Sequence, residues 1–139
     1  MNEIRISYEY DWQKLHWRSI ESCYRGSAFF EYFEDDLKPF YENKNIVFLI
    51  DLNEQMQRKI LELLQLKINY TFTQSYEKVI EGMADFRNTI KPKENNSSSI
   101  NFPINHYFQV FENKHGFIPN LSIVDLLFNQ GPRAKDFLR

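Results

Sequence analysis

The sequence predicts an α+β fold, mainly helical, with a few short strands forming a small or incomplete sheet. Helical periodicity recurs along much of the chain, with apolar residues returning to one face about every 100° per residue. Between those stretches "IRIS" (4–7) alternates apolar and polar residues, as a half-buried strand does. "KINYTFTQSY" (67–76) is β-branched and aromatic, the composition of a strand entering a turn.

Taken in order, the first helix follows "IRIS" and covers "WQKLHWRSIESCYRG". Trp12, His16, Ser19, Ile20, Cys23 and Tyr24 fall on one arc, and Lys14, Arg18, Glu21 and Arg25 on the opposite one. Asp11 is its expected N-cap, because a carboxylate there accepts a free backbone N–H, and Gly26 its expected stop. A second helix starts near Ser27 and buries Phe29, Phe30, Phe33 and Leu37. Pro39 has no N–H to donate, so that helix must kink or restart there. "IVFLID" is a further candidate strand. Asp51 and Glu54 then resemble a capping box ahead of a helix that places Leu52, Met56, Ile60, Leu63 and Leu64 on one face. "KPKENNSSSINFP" (91–103) has the polar, Ser/Asn/Pro-rich composition of a flexible loop. "HYFQVFENKHGF" fits strand or helix. In "NLSIVDLLFNQGP", Ser122 caps a helix, Asp125 is its capping partner, Leu121 staples against Leu126, and Gly131 ends it. Pro132 suits the first turn of a last short helix. No internal repeat is present.

Bulk properties exclude several function classes. The 139 residues suit a single domain, 1–139. With 17 basic and 19 acidic residues the net charge is -2, and neither half gathers a basic footprint, which argues against nucleic acid. Cys23 stands alone, so neither an internal disulfide nor a cysteine-based zinc site can form within the chain. The longest uninterrupted apolar run, "IVFLI", is far short of a membrane span. "MNEIRISYEY" lacks an apolar signal core, so a cytoplasmic protein is expected. Phosphate-loop, nucleophile-elbow and paired-histidine signatures are missing, and no cofactor or metal is expected.

Two residues break the pattern of their own helices. His16 sits in an apolar arc, where a buried imidazole needs a hydrogen-bond partner. Asp36 projects at the edge of the second helix's buried arc, where a carboxylate needs a donor. Paired, they read as a general base and its orienting carboxylate; the alternative is a structural hydrogen bond. Arg87, in "DFR", can hold an anion bidentately or form a surface salt bridge. Tyr107, Gln109, Asn120 and Asn129 offer neutral hydrogen bonding suited to a polyol, although Asn120 and Asn129 are also ordinary helix-boundary residues.

Three stretches together carry a family resemblance: "WQKLHWRSIESCYRGSAFFEYFEDDLKPFYE", "DFRNTIKPK" and "YFQVFENKHGFIPNLSIVDLLFNQGP". The chain resembles the WbqC-like family of bacterial proteins from about Ile4 to Leu138. The family takes its name from an O-antigen gene cluster. The resemblance therefore implies surface polysaccharide biosynthesis, with a nucleotide-sugar or glycan intermediate as the expected ligand. It supplies no catalytic residues. Three departures stand out. By the resemblance, a further N-terminal segment is expected ahead of the "IRIS"-like strand and this chain is expected to be a shortened member, Asn105 and His106 stand where a proline is more usual, and Arg133 stands where an acid is expected. A shortened chain is expected to expose a sheet edge or an apolar patch, and so to form a homodimer. A non-catalytic interaction module and an inactive truncated family member are the alternative functions.

Overall fold

The computed structural model describes residues 3–73, 75–76, 78, 82, 85–87 and 105–138. Contacts divide the chain into a larger unit, residues 1–68 with 104–139, and a smaller one, residues 69–103. The flexible loop expected at 91–103 lies outside the described residues.

The larger unit is built from helices. α1 spans Trp12–Tyr24, α2 Phe30–Leu37 and α3 Leu49–Leu63. α4 is the single turn Glu112–His115, and α5 runs Ile123–Gln130. Two 3₁₀ segments, Lys38–Tyr41 and Gly131–Leu138, continue α2 and α5. α2 ends at Leu37, and Pro39 lies in the tighter helix that follows, consistent with its missing donor.

The α+β expectation does not hold. Among the described residues there is no strand; pairing is limited to one antiparallel bridge between Arg5 and Phe48. The Ile6 N–H donates to the Val47 carbonyl and the Leu49 N–H to that of Ile4, both at 2.9 Å. Tyr8 adds a hydroxyl bond to the Ile46 carbonyl at 2.8 Å. Ile4 and Val47 remain about half exposed (51 % and 48 %), so the pairing has no layer to bury against and does not grow into a sheet. In "IVFLID" the apolar run continues the periodicity of α3, and the helix absorbs it from Leu49 onward. The described part of 67–76 forms no strand either, and Ile68 and Phe72 are exposed.

The core is aromatic. Phe30, Leu127 and Phe128 are fully buried and Phe33 nearly so. Ring contacts run from Tyr41 to Trp17 at 5.5 Å, on to Phe30 at 6.1 Å, to Phe128 at 5.1 Å and to Tyr24 at 5.2 Å. This chain of rings ties α1, α2 and α5 into one core, and such pairs are worth about 0.5–1.5 kcal/mol each beyond their burial. A backbone bond from the Phe29 N–H to the Phe128 carbonyl (2.9 Å) locks the start of α2 to the end of α5.

Several caps differ from expectation. Asp11 occupies the N-cap position of α1 without a side-chain cap bond, and its carboxylate instead meets Lys44 at 3.3 Å. α3 starts two residues before Asp51, which therefore lies inside the first turn, where its charge still favours the helix dipole. Ser122 caps α5 by position only, its side chain making no cap bond.

Candidate functional site

The most distinctive polar feature is a buried carboxylate. Asp125 lies in α5 within the run "IVDLLF" and is only 4 % exposed. The capping role expected of it fails because Tyr107 reaches in from the preceding segment and donates its hydroxyl to Asp125 Oδ2 at 2.7 Å. A buried carboxylate without donors would be costly, so this bond fixes both side chains.

Two tyrosines surround that carboxylate. Burial, then the hydrogen bond to Asp125, push the Tyr107 phenol up to about 12. Burial, then the charge of Asp125, push Tyr24, at the end of α1, up to about 12 as well. Both phenols therefore keep their protons through the neutral range, and act as donors beside a carboxylate.

The elements that carry this cluster hold further buried polar atoms. Asn129 donates its amide to the Asp125 backbone carbonyl at 2.8 Å, which leaves its buried Oδ1 without a partner. Ser27 Oγ, in the turn between α1 and α2, is likewise buried and unpartnered. The Phe29–Phe128 backbone bond brings that turn to the end of α5 that carries Asn129. Gln109, 4 % exposed, donates to the Ile118 carbonyl at 2.8 Å and accepts the Ile118 N–H at 2.9 Å. This two-way amide clip holds the loop that carries Tyr107.

The structure brings together some residues singled out in the sequence and separates others. Tyr107 and Gln109 stand at this cluster; both amide atoms of Gln109 bond Ile118, and its side chain also reaches the Tyr107 phenol. Asn120 is exposed in a turn with φ +58. His16 is exposed on α1, with its ring edge-on to Trp12 at 5.4 Å, and no hydrogen bond joins it to Asp36. The Asp36 carboxylate meets Lys59 of α3 at 3.4 Å. Arg87, in the smaller unit, grips Asp85 in a fork, with Nε to Oδ1 at 2.8 Å and a second nitrogen to Oδ2 at 2.5 Å, and stacks over Tyr76. That hydrogen bonding holds the Asp85 carboxyl down to about 2.

Sequence reasoning missed Asp125, Tyr24 and Ser27 as site residues. The available signal was an acid inside an otherwise apolar helical run, which the adjacent Ser122 explained away as a cap. Among the described residues no group of three or more His, Cys, Asp or Glu side chains is placed to hold a metal ion, and no helix is long and apolar enough to cross a membrane.

A helical core closed around a buried carboxylate and two protonated phenols defines the class of site. The family model for the WbqC-like protein family matches residues 1–101 and 87–137, and the chain belongs to that family. The chain is similar to the uncharacterised protein Rv1507c of Mycobacterium tuberculosis, 29 % identical over 150 residues that cover 93 % of this chain and 65 % of the relative. The chain thus spans just under two-thirds of the length of the curated relative it matches. No solved structure matches it.

Proposed function

We propose that this WbqC-like chain is an enzyme, or part of one, acting in the cytoplasm on a nucleotide-sugar or glycan intermediate of bacterial surface polysaccharide biosynthesis. The observation that carries the reading is the buried Asp125 carboxylate with the Tyr107 hydroxyl on it at 2.7 Å. A fixed carboxylate beside a protonated phenol is a pairing able to accept a proton from one hydroxyl and offer one to another. The unpartnered Asn129 Oδ1 and Ser27 Oγ supply further neutral polar atoms of the kind a polyol engages. Of the residues the sequence singles out, Tyr107 takes part directly, and Gln109 acts by holding its loop.

The test is a thermal-shift screen of the chain against nucleotide-sugars. At least one should raise the melting temperature of the wild type, and the rise should be lost in Asp125→Asn and reduced in Tyr107→Phe. If none stabilises the wild type, or both variants respond as it does, the reading is wrong.

A second reading, a non-catalytic interaction module, is favoured by a specific feature. Phe108, Phe111, Ile118 and Leu121, near the cluster in sequence, are 57 %, 50 %, 43 % and 41 % exposed. Large apolar side chains exposed within a short stretch of sequence are the raw material of a contact surface. The same screen separates the two, since a contact surface gives no dependence on Asp125.

A further inference from the structure

The face of α1 that reads as an ordinary solvated surface borders a groove. The groove, of about 540 Å³, lies between α1 and the 3₁₀ segment Lys38–Tyr41 with the residues flanking it. Cavities of this size hold small metabolites. Its charges do not cancel. Asp11 is paired with Lys44 at 3.3 Å, and Glu42 faces Lys38 at 3.9 Å. Glu21 is taken by Arg25 at 3.0 Å. Lys14 and Arg18, one helical turn apart, also line the groove, and among the described residues neither has an ion-pair partner. The wall they form is therefore positive, with its cations uncommitted.

Beside them stand two buried residues that also line the groove. The Gln13 amide nitrogen donates to the carbonyls of Phe40 at 3.1 Å and Asn43 at 2.8 Å. Both partners are acceptors, so the amide cannot flip, and Oε1 is left buried with no donor. Trp17 Nε1, a donor, is likewise buried without an acceptor. Unmatched buried groups of this kind are unfavourable, so the wall of the groove carries one acceptor and one donor whose hydrogen-bonding capacity is unused. Trp17 and Tyr41, whose rings lie 5.5 Å apart, add an aromatic wall.

We propose that this groove binds a soluble, phosphate-bearing polyol of sugar-phosphate size, with Lys14 and Arg18 holding the phosphate and the Gln13–Trp17–Tyr41 side taking the polyol. The polyol half rests on the function proposed above; the phosphate half rests on the groove alone. The probes are inorganic pyrophosphate and glucose 1-phosphate, with inorganic phosphate for comparison, titrated into the chain with Trp12→Phe so that Trp17 fluorescence alone reports. Both should give saturable changes, with glucose 1-phosphate binding more tightly than inorganic phosphate. Lys14→Gln with Arg18→Gln should weaken both by about tenfold or more, as expected for losing charge-assisted bonds. Both residues are exposed, so the pair of changes leaves the core intact. The proposal falls if no saturable change occurs, if chloride at matched ionic strength reproduces it, if the double variant binds equally, or if phosphatidylglycerol vesicles alone are bound. Pyrophosphate binding without any effect of nucleotide-sugars on stability would uphold the phosphate site while removing the proposed function.

Discussion

Asp125 shows how one residue can escape a local reading. Three positions after Ser122 its spacing is that of a capping partner, yet its carboxylate goes to Tyr107, a residue that reaches it only through the fold. The tie has a measurable signature. Tyr24 and Tyr107 are raised from 10.0 to about 12, whereas in the unfolded chain they ionise near their ordinary value. A phenol raised in the folded state contributes stability that is complete below pH about 10 and lost as pH rises through about 12. Alkaline unfolding is therefore expected within that window. Ultraviolet titration of the folded chain should show three of its 8 tyrosines ionising late, Tyr24 and Tyr107 together with Tyr41, which burial alone raises. Asp125→Asn should bring Tyr24 and Tyr107, but not Tyr41, toward the ordinary value, because it removes the carboxylate that acts on those two. Late titration of those two that survives Asp125→Asn would assign their shift to burial alone.

At the scale of the element, the helices were legible where the apolar spacing was unambiguous. Phe30, Phe33 and Leu37 are buried as the arc of α2 requires, and Leu52, Ile60 and Leu63 turn inward along α3. α1 was legible in existence but not in phase. Its buried stripe is Gln13, Trp17, Ile20 and Tyr24, not the arc through His16. Gln13 hides that stripe, since an amide reads as polar until the backbone carbonyls of Phe40 and Asn43 are known to satisfy it. The His16–Asp36 pairing was a consequence of that misphased arc. Strands failed for another reason: alternation in "IRIS" is real, but a strand also needs neighbours, which a short pattern does not specify. Gly131, by contrast, was read correctly as the stop of α5, and the structure shows why no other residue suits. Its φ is +58, and a Cβ there would lie 2.5 Å from the Phe29 ring. Gly131→Ala should lower unfolding stability by at least about 2 kcal/mol, from strain and overpacking together. A denaturant midpoint unchanged in that variant would mean that the junction between α5 and the final 3₁₀ segment is softer than its packing indicates.

For the whole molecule, stability is unevenly distributed. The rings of Trp17, Phe30, Phe128 and Tyr24 join three helices through contacts far apart in sequence, and any loss of that core is a global event. The N-terminal segment is held differently. It is joined to residues 46–49 by two backbone bonds, the Tyr8 hydroxyl and the Arg5 guanidinium over the Phe48 ring, with Ile4 and Val47 half in water. Ordering these exposed residues costs backbone entropy, and a few hydrogen bonds worth about 1 kcal/mol each offset only part of it. That attachment should therefore assemble last and release first. Native-state hydrogen exchange is expected to find the Ile6 and Leu49 amides opening at a small fraction of the global unfolding free energy, while those of Leu127 and Phe128 exchange only with global unfolding. The larger unit is then a firm helical body with a detachable N-terminal latch, whose release from residues 46–49 leaves the aromatic core undisturbed.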